Sequence, residues 1–112
     1  MDIEFFRQYA LSKEDAFECT PFGDDVLVYK VNNKIFMMMN FENPPEISLK
    51  CEPELAIELR ERYSSVRPAY HMNKMHWNTI TLDGEVHSGE ILKMIDHSYE
   101  LIKKPLKRKK TK

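Results

Sequence analysis

The stretch VLVYKVNNKIFMMMNF, residues 26–41, sets two β-prone runs on either side of Asn32-Asn33. Asparagine tolerates the positive φ that a two-residue hairpin turn demands, so Val26–Val31 and Lys34–Phe41 are predicted to pair antiparallel. Alternation along the second arm puts Ile35, Met37, Met39 and Phe41 on one face and Phe36, Met38 and Asn40 on the other. The methionines have two readings. They are flexible core filler, or they line an adaptable apolar groove for a peptide or small ligand.

Working outward, Ala16–Pro21 is a weaker strand, and residues 2–11 make a short amphipathic helix with Ile3, Phe6 and Ala10 on one face. Downstream, Asn43-Pro44-Pro45 forces a turn. Glu46–Lys50 then alternates, Ile47 and Leu49 facing one way and Ser48 and Lys50 the other. Pro53 suits the first position of a helix that carries Leu55, Leu59 and Tyr63 on one stripe and a Glu58–Arg62 pair on its surface. That helix should stop near Tyr63. Arg67 precedes a proline and is biased extended. His76–Leu82 alternates again, with Ile80 and Leu82 inward and Trp77, Thr79 and Thr81 outward, and ends in the turn Asp83-Gly84. Ser88 is a good N-cap for a last helix reaching about Lys104, with Ile91, Ile95, Ser98 and Ile102 on its buried face; Pro105 ends it. The expected fold class is α+β: a single antiparallel sheet with helices packed on one side, in the order α-β-β-β-β-α-β-α. One domain spans 1–104, and residues 105–112 form a basic tail without expected structure.

At 112 residues with 42% hydrophobic and 31% charged residues, the composition is that of a globular domain able to build a core without staples. Cys19 and Cys51 stand in no zinc-ligand spacing and read as reduced thiols. The opening MDIEFF has neither the charged nor the apolar part of a signal peptide, and no apolar run is long enough to span a membrane. A cytoplasmic location and no membrane partner are therefore expected. Charge is uneven. Residues 103–112 hold seven of the 17 basic residues and no acid, leaving ten basic against 18 acidic residues, a net of −8, over residues 1–102. Such a tail is able to touch nucleic acid, an anionic surface or its own acidic body.

Three glycines, Gly23, Gly84 and Gly89, exclude the glycine-rich phosphate cradles, and neither GxSxG nor HExxH occurs. His71 and His76 match no ligand spacing. Glu14, Asp15, Glu18, Asp24 and Asp25 cluster, but in no compact calcium loop. The segment RPAYHMNKMHW, residues 67–77, differs in kind. It packs two cations, two imidazoles, an amide and two aromatics between a helix and a strand. Arg67 and Lys74 suit phosphate or carboxylate, and Trp77 and Tyr70 suit stacking on bases. Lys50 joins them if its strand is a neighbour. The competing reading is a long connection docked on the body, with Trp77 half buried and the histidines hydrogen-bonded.

The run ISLKCEPELAIELRERYSSVRPAYHMNKMHWNTITLDG, residues 47–84, closely resembles the MmcQ/YjbR family of small bacterial proteins, and IDHSYELI, residues 95–102, is similar to that family's closing helix. The resemblance implies a frataxin-like or secretion-chaperone-like fold and a non-enzymatic, DNA-binding role. It carries Lys50, Arg67, Pro68, His71, Asn73, Lys74, His76 and Trp77 as a candidate surface for DNA or another anionic ligand, with no catalytic residue, no cofactor and no metal. Iron binding does not transfer, since the first helix holds only Asp2 and Glu4 as acids. A monomer is expected. The alternative is a peptide- or small-molecule-binding, chaperone-like module. An enzyme with His71 or His76 as acid or base is the weakest of the three readings.

Overall fold

The computed structural model describes residues 3–70 and 72–103. In chain order the elements are α1 (Ile3–Leu11), β1 (Phe17–Cys19), β2 (Val26–Val31), β3 (Lys34–Asn40), β4 (Glu46–Lys50), α2 (Pro53–Arg62), β5 (Val66–Pro68), β6 (Trp77–Thr81) and α3 (Ser88–Lys103). The six strands make one antiparallel sheet in the order β1-β2-β3-β4-β6-β5. The α+β reading with helices on one side holds. One strand exceeds the expected number. Arg67-Pro68, read only as extended, pairs with β6 through Val66↔Ile80 and Arg67↔Thr79, because a three-residue run has too little alternation to announce itself. No helix among the described residues is long and apolar enough to cross a membrane.

The hairpin turns as its asparagines predict, with φ of 53° at Asn32 and 64° at Asn33. One arm departs from strict alternation. Tyr29 pairs with Met37 but Lys30 pairs with Ile35, so Phe36 is an extra residue on β3. The bulge turns both Phe36 and Met37 inward, and Phe36 packs edge-on against Tyr99 of α3 at 5.3 Å between ring centres. Ile35, which alternation groups with Met37 and Met39, is only half-buried.

The bulge also ends the ladder between β3 and β4, whose last pair on this side is Met37↔Leu49. Ser98 of α3 bridges the gap. Its Oγ donates to the Phe36 carbonyl at 2.5 Å and accepts from the Lys50 amide at 2.9 Å, and the residue is fully buried. A helix hydroxyl thus supplies both backbone groups with partners where the strands part. This explains a serine at 0% exposure on an otherwise apolar stripe of Ile91, Ile95 and Ile102.

Phe6 and Ala10 of α1, Ala56 and Leu59 of α2 and the α3 stripe meet the inward residues of the sheet in one core. Each such fully buried large side chain contributes about 1.5–3 kcal/mol relative to exposure. At the α3 start, His87 rather than Ser88 caps the helix: its Nδ1 accepts from the Gly89 amide at 3.2 Å. Helix α2 begins at Pro53 and shows the expected Glu58–Arg62 pair at 2.5 Å.

Candidate functional site

The helices cover one face of the sheet and leave the other open. Register fixes what that open face displays. Ser48 and Thr79 pair and share a hydrogen bond of 2.8 Å, Lys50 stands opposite Trp77, and Arg67 stands opposite Thr79. Lys50, Arg67 and Trp77 therefore belong to one face, as residue parity predicts.

Their chemistry is less uniform than their position. Arg67 is already engaged: one amine donates to Glu46 and the other to Thr81 Oγ1 at 2.8 Å. Glu46 also accepts from Asn40 Nδ2 at 3.1 Å. The guanidinium thus meets its anion within the fold. Trp77 is 7% exposed and lies outside the helix-side core, so it offers little stacking surface. Lys50 has no side-chain partner among the described residues.

The connection from β5 to β6 is built by local hydrogen bonds. Ala69 N–H donates to the Trp77 carbonyl at 3.0 Å and Met72 N–H to that of Ala69 at 3.1 Å. Asn73 spends its side chain on the turn, its Oδ1 accepting from the Met75 amide at 2.9 Å, while its carbonyl accepts from His76 N–H at 3.0 Å. Lys74 is exposed, its Nζ 5.5 Å from the centre of the Tyr70 ring. His76 is half-buried, and its carbonyl takes the Cys51 amide at 2.7 Å. His71 lies outside the described residues, as does the basic run after Lys103.

Arg60 of α2, which sequence reasoning passed over, clamps this connection. Its Nε donates to Asn78 Oδ1 at 2.9 Å and its Nη2 to the Lys74 carbonyl at 3.0 Å, while Asn78 Nδ2 donates to the Ala56 carbonyl at 3.2 Å. Asn78 is 3% exposed, so its amide is a buried bolt between helix and strand.

The open face is concave. A groove of about 910 Å³ runs across it, floored by Met38, Ser48 and Thr79. Three aromatics at its margin, Phe22, Phe41 and Tyr70, are 62%, 51% and 67% exposed. Its charged residues are Asp25, Glu42 and Glu46 against Arg67 alone. Sequence reasoning names Tyr70 as a stacking residue but sets Phe41 on the Met37–Met39 face of a strand that in the structure ends at Asn40, and it passes over Phe22, which stands in a connecting segment where alternation says nothing about direction. The signal available was three aromatics in stretches that a core does not need.

Of the acidic cluster near the N-terminus, Glu18 is engaged within the fold. Glu18 accepts from Arg7 Nε at 2.6 Å and from the Tyr29 hydroxyl at 2.6 Å. The Arg7 guanidinium holds the Glu18 carboxyl below its ordinary pKa, and burial beside Glu18 pushes the Tyr29 phenol up. Among the described residues no three His, Cys, Asp or Glu side chains are grouped to hold a metal ion.

With this geometry in place, comparison with known proteins is informative. The YjbR family model matches residues 11–101. The Escherichia coli (strain K12) protein YjbR is 39% identical over 101 residues, 89% of this chain and 86% of that one. The Escherichia coli O157:H7 protein YbdF is 34% identical over 85 residues, 75% and 70% of the two chains. Among solved structures, the Deinococcus radiodurans protein DR2400, with its DUF419 domain, is similar at a TM-score of 0.86 and 33% identity, over 98% of this chain and 82% of that chain. A Pseudomonas syringae protein follows at 0.80 and 31%, over 92% and 100%.

Proposed function

The chain belongs to the YjbR family, and on that premise we propose that it is a non-catalytic binding module whose open sheet face takes an extended peptide segment with apolar and basic side chains. The observation that carries this reading is the groove margin: three aromatics exposed by half or more around one concave, methionine-floored surface. Aromatics left in solvent around a concavity mark a binding surface. The charge balance selects the partner class. Asp25 and Glu42 favour cations, and Arg67 is neutralised by Glu46. A phosphate backbone meets repulsion there, whereas lysine or arginine side chains of a peptide find counter-charges.

Fluorescence anisotropy with labelled ten-residue peptides tests this. A peptide alternating leucine and lysine should bind, and one alternating leucine and glutamate should not. Phe41→Ser with Tyr70→Ser should weaken binding at least tenfold, about 1.4 kcal/mol or more. Equal binding of both peptides, or no effect of the double variant, defeats the reading.

One observation favours the DNA-binding alternative: Lys50 lacks a side-chain partner among the described residues and stands opposite Trp77, on the face that also holds Arg67. Together with the basic run at 103–112 it supplies charge for phosphates. Gel shifts at low salt on the full chain, a chain ending at Leu101 and the Lys50/Arg67/Lys74→Ala triple variant decide it. A shift lost only in the shortened chain assigns binding to the tail, and no shift in any of them removes the alternative.

A further inference from the structure

Helix α3 ends at a fixed place. The Lys103 carbonyl accepts from Asn32 Nδ2 at 3.1 Å, and Lys103 Nζ stands 3.4 Å from Glu14. The chain beyond Lys103 therefore starts at the tip of the β2–β3 hairpin. Its sequence there, KPLKRKKTK at residues 104–112, holds six lysines or arginines, one leucine and no acid. This run lies outside residues 11–101, the part that the family model matches.

From the hairpin tip the open face leads to the groove. Phe17 pairs with Lys30 just before the tip. Its neighbour Glu18 turns inward to the Tyr29 hydroxyl, so parity sets Phe17 on the open face, where it is 45% exposed. At the far end Asp25 and Glu42 border the groove. Both are exposed, and neither forms an ion pair among the described residues. Lys30 and Lys34 flank the tip, so like charge opposes a basic run there and opposite charge receives it at Asp25 and Glu42. The distance fits. From Asn32 back to Val26 the strand covers about 20 Å, at about 3.3 Å per residue. Residues 104–112 extend to about 30 Å, which leaves length to round the tip.

We infer that residues 104–112 are an intramolecular ligand of the open face, with Leu106 against Phe17 and Lys109, Lys110 and Lys112 at Asp25 and Glu42. The inference rests on the peptide reading of that face and names the chain's own basic segment as an occupant. A tethered segment has a local concentration of about millimolar, so an outside peptide must displace it. The same contact draws those lysines away from phosphate.

The test compares amide chemical shifts of the full, isotope-labelled chain with those of two full-length variants. One is Lys109→Gln with Lys110→Gln and Lys112→Gln; the other is Asp25→Asn with Glu42→Gln. The first should move the amides of Phe22, Asp25, Phe41 and Glu42, and the second those of residues 107–112. A labelled peptide alternating leucine and lysine should bind the triple-glutamine variant at least threefold more tightly than the wild type. Groove amides unmoved by the first variant, or amides of 107–112 unmoved by the second, would overturn the inference. So would effects that vanish on tenfold dilution, which assign the contact to a second copy. Equal, tight peptide binding to both chains also overturns it and leaves the peptide reading standing. Reciprocal shifts uphold the contact even where the free peptide binds neither chain, a result that counts against the peptide reading alone.

Discussion

Ser98→Ala removes a single oxygen and should cost more than most surface changes in this chain. The hydroxyl is fully buried and holds the Phe36 carbonyl at 2.5 Å and the Lys50 amide at 2.9 Å. Alanine fits the space but leaves both backbone groups without a partner where the ladder has already ended. An orphaned buried polar group costs about 1–3 kcal/mol, and the half-buried Lys50 amide belongs at the low end, so the sum is about 2–4 kcal/mol. Equilibrium urea unfolding reads this directly. With a slope of about 2 kcal/mol per molar, the midpoint should fall by about 1–2 M at an unchanged slope. Hydrogen exchange gives a local readout, since the Lys50 amide should exchange faster while amides in the β2–β3 ladder follow only the global loss. Lys93→Ala, on the exposed side of the same helix, is the control and should stay within about 0.5 kcal/mol. A loss below about 1 kcal/mol with unaltered Lys50 exchange would refute the bridging role, because two orphaned backbone groups together cost more than that.

Other expectations follow from single contacts. Asn33→Ala keeps φ of 64° but loses the short polar side chain that makes asparagine tolerant of the left-handed region, and should cost about 1 kcal/mol by thermal unfolding, whereas Asn33→Gly, with no Cβ, should be neutral or slightly stabilising. Arg60→Ala releases Asn78 and the Lys74 carbonyl together; Trp77 is the chain's one tryptophan, so its emission should shift red as the neighbouring connection loosens. Glu18 has its folded-state pKa lowered, first by the Arg7 hydrogen bond, so its contribution is present at neutral pH and is lost as pH falls through that lowered value. Glu18→Gln should therefore lose less stability than wild type between about pH 7 and pH 3 in urea unfolding, and parallel losses would contradict this.

Much of the fold is legible in the sequence because it rests on period and on turn chemistry. Asn32-Asn33 marks the hairpin, Pro53 the start of α2, and the Ile91–Ile95–Ser98–Ile102 stripe the buried face of α3. What escapes is what depends on a third element. The bulge at Phe36 is invisible without β2 beside it, and the reason for Ser98 appears only when β3 and β4 part in front of it. The candidate site divides on the same line. Parity alone puts Lys50, Arg67 and Trp77 on one face. No local pattern tells that Glu46, twenty-one positions earlier, neutralises Arg67, or that Asn73 is consumed by its own turn. The groove margin of Phe22, Phe41 and Tyr70 is assembled from three separate connections, and alternation misleads at Phe41 because β3 ends one residue before it.

The order β1-β2-β3-β4-β6-β5 places the chain's two shortest strands, each of three residues, at its two borders. Aggregation by strand addition needs a long, flat row of unpaired backbone donors and acceptors. Neither border offers one. Phe17–Cys19 ends within three residues, and Val66–Pro68 finishes in a proline that has no N–H to give. A molecule that keeps one sheet face free of helices is thus protected along its rims, and a partner is directed to the face rather than to the edge.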